Sequence, residues 1–415
     1  MRIGVIGAIG VDDIGDIVML ELALKQLKEI AQKLQMDVSF TIFSFDVDKT
    51  KEMLKKIYVK AEIVSCLQRE DLIDFSFSKT SFSKIVENNP QRIVNNQKFL
   101  NKFNQCNALF FIGGGYFNSY WGEKLFPTFI LPIALAQQFK KTIYISGINI
   151  GPFNEKQIKN LYGVFKNVDI LTLRDRELSL TTLEKLGGPD RKLILGADDI
   201  LPVWYDNYDK RNDFKIVEND KYAVIQLHHW VETYNENYIK FYKILSKFLN
   251  DILNKERIEK VIFIPFTYFK GADYECGRRL KTFLNDREKY IVLEPTEDHI
   301  LMRQLISESS LVIASRYHPI VFGLGENVPT LGIYVNDLYE HKISGAYDTV
   351  GVDKDRNMIY LNDISYAKLM NWYKYCTNEE KNKSDREFVV NEYAKIRKES
   401  IEEFLDIVQK QYSLI

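Results

Sequence analysis

Apolar runs of strand length recur through the first half of the chain, each closed by glycine or polar residues and followed by helical spacing. Met1–Ile6 leads into Gly7, Gly10 and Gly15 and then into the amphipathic stretch Val18–Lys33. Val38–Ser44, Ala108–Ile112, Thr142–Ser146 and Ile170–Leu173 repeat the pattern, the second of these ending in Gly113-Gly114-Gly115. A half-exposed strand alternates apolar with polar, whereas a continuous apolar strand must be covered on both faces. Such runs alternating with helices therefore predict a parallel sheet with helices on each side. After the polar stretch Tyr205–Asp220 the rhythm restarts: strand Tyr222–Leu227, helix Tyr238–Leu253, then strands Lys260–Pro265, Tyr290–Leu293, Leu311–Ala314 and Thr330–Tyr334. The predicted fold class is α/β, with two doubly wound domains facing a central cleft. The expected boundaries are 1–205, 206–378 and a charged helical segment, 379–415, packing back across the junction; Lys55–Asn96 reads as an insertion.

Composition narrows the function classes. With 46% hydrophobic and 27% charged residues in 415, the chain reads as an ordinary globular protein of two domains. The 56 Lys+Arg against 57 Asp+Glu leave a net charge of −1, which offers no field for nucleic acid. Cys66, Cys106, Cys276 and Cys376 lie far apart with no CxxC spacing, so neither a disulfide scaffold nor a zinc framework is expected. Asp12-Asp13 interrupts the apolar start before a signal-peptide core forms, and Leu125–Ala136, broken by Pro127 and Pro132, is too short to span a bilayer. The expected location is cytoplasmic, with contact at the inner face of a membrane left open.

In open parallel sheets, ligands gather beyond the carboxyl ends of the strands, where helix N-termini offer free N–H groups. Gly113, Gly114 and Gly115 follow a buried strand and let the backbone approach a ligand closely. They form neither a Walker loop nor a dinucleotide fingerprint, because no Gly-Lys-Ser/Thr follows and Tyr116-Phe117-Asn118 stands where a last glycine belongs. Asp16 opens the first helix, as its cap or as a group that orients an incoming hydroxyl. Asn149 offers a donor and an acceptor, to a sugar or to its own loop. Arg174, at the end of ILTL, aims a fixed cationic fork at the sheet edge, for an anion or for a neighbouring carboxylate.

Ser315-Arg316-Tyr317-His318-Pro319 is the most informative stretch. Pro319 suits the first position of a helix, and in an extended segment Arg316 and His318 point to one side. Together they suit phosphate or carboxylate, and His318 can move a proton near neutral pH. Lys342, in HKISG, is a candidate second cation. His228-His229-Trp230 follows another strand; no third ligand is evident, so no metal is expected, and Trp230 suits stacking on a sugar. Asp198-Asp199 reads as a structural turn.

These residues resemble the polysaccharide pyruvyl transferase family. The resemblance rests on Gly15-Asp16, Phe111-Ile112-Gly113-Gly114-Gly115, Gly147 to Gly151-Pro152, Arg174-Asp175 with Ser179, Asp198, Ser315-Arg316-Tyr317-His318-Pro319, and Lys342 with Gly345. They occur in the family's order and span about residues 4 to 351; Asp13 departs from it, standing where the family commonly has asparagine. The resemblance implies a Rossmann-like, GT-B-like architecture and transfer of a pyruvyl group from phosphoenolpyruvate onto sugar hydroxyls as a ketal. No bound cofactor is implied. Arg174, Arg316 and Lys342 are then the expected donor-binding cations and His318 the proton-transfer group, with Asp16, Gly113, Gly114, Gly115 and Asn149 facing the acceptor. The acceptor is a sugar, oligosaccharide or lipid-linked glycan. Two alternatives stay open: a glycosyltransferase of the same architecture using a nucleotide sugar, and a non-catalytic sugar-binding protein. The paired glutamates eight positions apart that mark retaining glycosyltransferases are absent between Leu293 and Asp348.

Overall fold

The computed structural model describes residues 1–73, 81–201, 221–255, 258–267, 271–377 and 383–412. The expected boundary at 205/206 and the polar stretch Tyr205–Asp220 lie outside these residues. Contacts divide the chain into two compact units. The first comprises Met1–Val11, Asp16–Asp199 and Tyr393–Ile415; the second comprises Asp12–Gly15 and Ile200–Glu392.

The first unit is built on one sheet whose paired strands are all parallel. Its strands are β1 (Arg2–Ile6), β2 (Ser39–Ser44), β3 (Glu62–Ser65), β4 (Ala108–Phe111), β5 (Gly114–Phe117), β6 (Thr142–Ile150), β7 (Ile170–Leu173) and β8 (Lys192–Leu195). They lie in the order β3-β2-β1-β4-β6-β7-β8, with β5 paired to β6. The strands of the continuous apolar runs are the interior ones: β4, β6 and β7 are buried along their whole length. The unexpected ones include both edges. β8 carries Leu193 and Leu195 at 37% and 39% exposure, and β3 is a four-residue mixed segment within 55–96. That region also contains a short helix, Phe82–Glu87, and a single turn, Pro90–Ile93.

The second unit repeats the design with β9 (Tyr222–Gln226), β10 (Lys260–Phe263), β11 (Tyr290–Val292), β12 (Leu311–Ala314), β13 (Thr330–Tyr334) and β14 (Met358–Tyr360), in the order β11-β10-β9-β12-β13-β14. The strand order reverses at the β9/β12 pair, the place where such sheets open toward ligands. Register matches Ala314 with Gln226, so the carboxyl ends of these two strands are level. Whatever follows them must meet.

The last helix, Lys383–Tyr412, contributes its residues from Tyr393 onward to the first unit. There Phe404 packs 5.8 Å from Phe110 and 5.7 Å from Tyr144, while Ser400 Oγ lies 2.7 Å from Tyr144 Oη. Among the described residues no helix is long and apolar enough to cross a membrane.

Candidate active site

In the second unit, a set of charged and imidazole groups gathers at the ends of β9 and β12. The His228 N–H donates to Ser315 Oγ at 2.6 Å and ties the two strand ends together. Gln226, the last residue of β9, accepts from the Arg316 N–H (2.9 Å) and donates to Asp273 Oδ2 (3.0 Å). Asp273 opens the helix Ala272–Thr282 and is wholly buried. Its two oxygens take the Arg316 guanidinium in a fork, Nε at 2.5 Å and Nη2 at 3.0 Å, and Oδ2 also accepts from the Phe266 N–H at 3.3 Å. A carboxylate so far from water is tolerated only because it is saturated with donors, one of them a full charge.

The third edge of Arg316 is taken by Asp13, whose Oδ2 accepts from Nη1 at 2.9 Å. Asp13 Oδ1 stands 3.4 Å from His318 Nδ1 and accepts from the Gly15 N–H at 2.9 Å. Burial raises the Asp13 carboxyl, but the contacts with His318, Arg316 and Gly15 outweigh it and bring the pKa down to about 2. With 24% of its side chain still exposed, Asp13 is governed by these neighbours. Burial likewise disfavours the charge on Arg316, and Asp273 and Asp13 override it, so the guanidinium is more firmly protonated than usual.

His318 is 12% exposed, and its Nε2 is buried without a hydrogen-bonding partner among the described residues. The imidazole lies directly on Gly15: a Cβ there would fall 1.7 Å from Nδ1. Only glycine leaves room for the ring, which gives the Gly15-Asp16 motif a packing reason. The local backbone differs from the expected one. Arg316 is extended (φ −96°, ψ 153°), but the helix Tyr317–Gly325 has begun before His318, and Pro319 is its third residue. Arg316 and His318 converge by reaching the same carboxylate rather than by sharing a strand face.

Around them stand His228, His229, Trp230 and Tyr339. His228 and His229 stack at 4.3 Å, and Trp230 lies 4.6 Å from His228 and 5.3 Å from Tyr339. The Trp230 N–H donates to His228 Nδ1 at 2.9 Å. Burial first, then Arg316, His229 and Lys342, hold His228 far below the usual imidazole range, so it is neutral. His229 is lowered too, chiefly by burial, and its Nδ1 has no partner among the described residues. Lys342, expected in a loop, sits in the helix Asp337–Thr349 with Nζ 5.6 Å from the Tyr339 ring centre. His228, His229 and Asp273 hold ligand atoms within 4.8 Å of one another. Arg316 already occupies both Asp273 oxygens, and its charge opposes a cation there.

The first unit has a polar cluster of another kind. Arg174 is 2% exposed; its Nε donates to Asn149 Oδ1 and its Nη1 to Asp198 Oδ2, both at 2.5 Å. Asn149 Nδ2 donates to Asp175 Oδ2 at 2.5 Å, and Asp175 also takes the Ser179 N–H (2.8 Å) and hydroxyl. Both ends of the Asn149 amide are thus occupied inside the unit. Asp199 accepts from the Gly113 N–H (2.9 Å), from Ser146 Oγ (2.8 Å) and from Arg397 of the last helix. Gly114 and Gly115 open β5 rather than a free loop. Asp16 lies in the first turn of the helix Ile14–Lys33, where a carboxylate complements the helix dipole. Asp273, Gln226 and Arg397 were not singled out from sequence, and Asp13 only as a departure from the family pattern. The signals available were Asp13 beside the Gly15-Asp16 motif and Asp273 shortly after β10.

Residues 47–337 match the family described as polysaccharide pyruvyl transferase, which is more than half the chain. A curated relative, the amylovoran biosynthesis protein AmsJ of Erwinia amylovora, is 23% identical over 269 residues, and the match spans 62% of each chain. Among solved structures, the UDP-GlcNAc 2-epimerase of Neisseria meningitidis bound to UDP-GlcNAc aligns with TM-score 0.57 and 11% identity, over 97% of this chain and 99% of that one. The UDP-GlcNAc 2-epimerase of Methanocaldococcus jannaschii gives 0.58 at 13%, over 94% and 98%. Anabaena Alr3699/HepE in complex with UDP-glucose gives 0.52 at 10%, over the whole of both chains. These likenesses carry the GT-B-type fold. The family match carries the rest: the chain belongs to the polysaccharide pyruvyl transferase family.

Proposed function

We propose that the protein transfers the pyruvyl group of phosphoenolpyruvate to two hydroxyls of a sugar in a cell-surface polysaccharide or its precursor, forming a ketal and releasing phosphate. Family membership supports pyruvyl transfer in polysaccharide biosynthesis; the donor and the ketal are what the proposal adds. The observation that carries it is the second unit's cluster, where Arg316 is fixed on three edges beside a histidine whose Nε2 has no described partner. Phosphoenolpyruvate brings a phosphate and a carboxylate, and Arg316 and Lys342 are the cations of this unit assigned to them.

In the proposed sequence His318 Nε2 gives a proton to the methylene carbon C3, which becomes the methyl group, and C2 becomes electrophilic. One sugar hydroxyl adds to C2 through its oxygen and loses its proton, returning His318 to its starting state. The C2–O bond to phosphate then breaks, phosphate taking the electron pair, and the second hydroxyl closes the ring. Its proton leaves with the phosphate. No redox step or cofactor enters the balance.

The test is release of inorganic phosphate with a mass gain of one pyruvate ketal on a pathway glycan. His318→Ala should lower kcat by roughly 10²–10⁴-fold, the range of general acid–base catalysis, with the melting temperature and phosphoenolpyruvate affinity nearly unchanged. Near-wild-type turnover would remove His318 from this role. The likeness to structures holding UDP-sugars favours a second reading, a nucleotide-sugar transferase, which nucleotide release from UDP- or GDP-sugars without phosphoenolpyruvate would establish.

A further inference from the structure

His318 has two nitrogens in opposite situations. Nδ1 faces Asp13 Oδ1 at 3.4 Å, while Nε2 is buried and has no described partner. Asp13 is itself held: Arg316 Nη1 donates to its other oxygen at 2.9 Å, and the Gly15 N–H donates to the first at 2.9 Å. Arg316 in turn is anchored by the wholly buried Asp273. The chain of contacts therefore runs from a core carboxylate through a rigid guanidinium to Asp13 and then to the imidazole. Gly15 forms the floor beneath the ring, and Tyr317 meets it edge-on at 5.3 Å. Among the described residues, the titratable groups recorded against His318 are Asp13 from the Asp12–Gly15 segment and Tyr317 from its own, with Arg316 reaching it through Asp13.

We propose that Asp13 is a positioning residue for His318: held by Arg316, its carboxylate fixes the Nδ1 side of the imidazole and leaves Nε2 as the atom that exchanges the proton. This rests on the function proposed above. A carboxylate opposite Nδ1 does two things that an amide in its place does not. It accepts only, so it selects the form with the proton on Nδ1. It also carries a full charge, so it holds the ring N–H more firmly than a neutral amide oxygen does. An asparagine side chain can turn either way and lacks that charge.

The experiment compares wild type, Asp13→Asn and Asp13→Glu, with steady-state kinetics on phosphoenolpyruvate and ¹⁵N spectra of His318. Arg316 keeps its fork on Asp273 in every variant, so the fold is expected to hold, and a melting curve checks it. Asp13→Asn should lower kcat roughly 10- to 100-fold, part of what general acid–base catalysis supplies, with KM within about threefold. Its pH–rate profile should differ from that of wild type, and Asp13→Glu should restore part of both. A wild-type kcat and pH profile in Asp13→Asn would overturn the proposal. So would a rise in KM with kcat unchanged, which would assign Asp13 to Arg316 alone. If wild type itself releases no phosphate from phosphoenolpyruvate, the function proposed above fails, and the ¹⁵N titration still decides this point. A His318 titration that differs between wild type and Asp13→Asn upholds the pairing; identical titrations end it.

Discussion

Two buried arginines, one in each unit, illustrate two uses of the same chemistry. Arg174 is 2% exposed and joins Asn149 and Asp198 in a cluster that continues through Asp175 and Ser179. Arg316 keeps 11% of its side-chain exposure, is clasped by Asp273 and Asp13, and borders His318 and His229, each with one ring nitrogen that has no described partner. In the first cluster, polar groups bind one another and hold strand ends in place. In the second, the same ion pairing creates a scaffold whose outermost imidazole atoms are left over for chemistry. Reactivity is marked less by the arginine than by the nitrogen beside it that stays unsatisfied.

The carboxylates sharpen the contrast. Asp13 is pulled down to about 2 by His318, Arg316 and Gly15 against its burial. Asp199 is raised: burial dominates and Asp198 adds to it, while Arg397, Ser146 and Gly113 only partly compensate. One unit stabilises its carboxylate charge and the other merely tolerates it.

The strongest test of the difference is Arg174→Ala. It leaves Asp198 buried without its cation and should cost about 3–5 kcal/mol, read as a lower denaturant midpoint. If that variant keeps wild-type stability and only binds phosphoenolpyruvate more weakly, Arg174 is a donor ligand and the two clusters are alike. Gly15→Ala should come next: the methyl group displaces the His318 ring, cutting kcat on the order of 100-fold for a stability loss of about 1–3 kcal/mol. Unchanged kinetics would mean that the imidazole does not rest on Gly15 during turnover. Arg316→Lys keeps the charge but not the three-edged grip, and should cost about 1–3 kcal/mol by leaving Asp273 acceptors unfilled. A rise in KM for phosphoenolpyruvate should accompany it; a stability loss with KM unchanged would make Arg316 purely structural. The smallest effect is in acid. Because the folded pKa of Asp13 is depressed, its stabilisation is present above about pH 4 and is lost as pH falls toward 2, amounting to about 2 kcal/mol. Acid unfolding of Asp13→Asn should therefore begin from a lower stability and fall less steeply in that window. Parallel curves would show that Asp13 is not held as described.

Much of this was legible in the sequence, and the limits have physical causes. Interior strands announce themselves because both faces are buried: Ile170–Leu173, Leu311–Ala314 and Thr330–Tyr334 match the expected bounds residue for residue. Edge strands such as β3, β8 and the three-residue β14 need only one covered face or a neighbour to pair with, so their patterns are short and mixed. Arg316 and His318 stood out because they directly follow a strand. Their partners did not: Asp273 lies 43 positions from Arg316, and Asp13 303 positions from it. Side-chain pairing over such separations is set by the folded sheet, and no local spacing encodes it. For the same reason Asn149 and Arg174 looked like binding groups, since their neighbours Asp175 and Asp198 become partners only once β6, β7 and the segment after β8 are side by side.

The return of the last helix to the first unit has a bearing on biosynthesis. A ribosome finishes Asp199 almost two hundred residues before it makes Arg397, the cation that answers this carboxylate, and before Phe404 can cover Phe110. The amino-terminal half thus emerges with an uncompensated charge and an uncovered aromatic face, and completes its interior only once Arg397 and Phe404 have been made. Residues 1–199 expressed alone would lack this closing segment, whereas the same residues joined by a linker to 393–415 would carry every part of the unit.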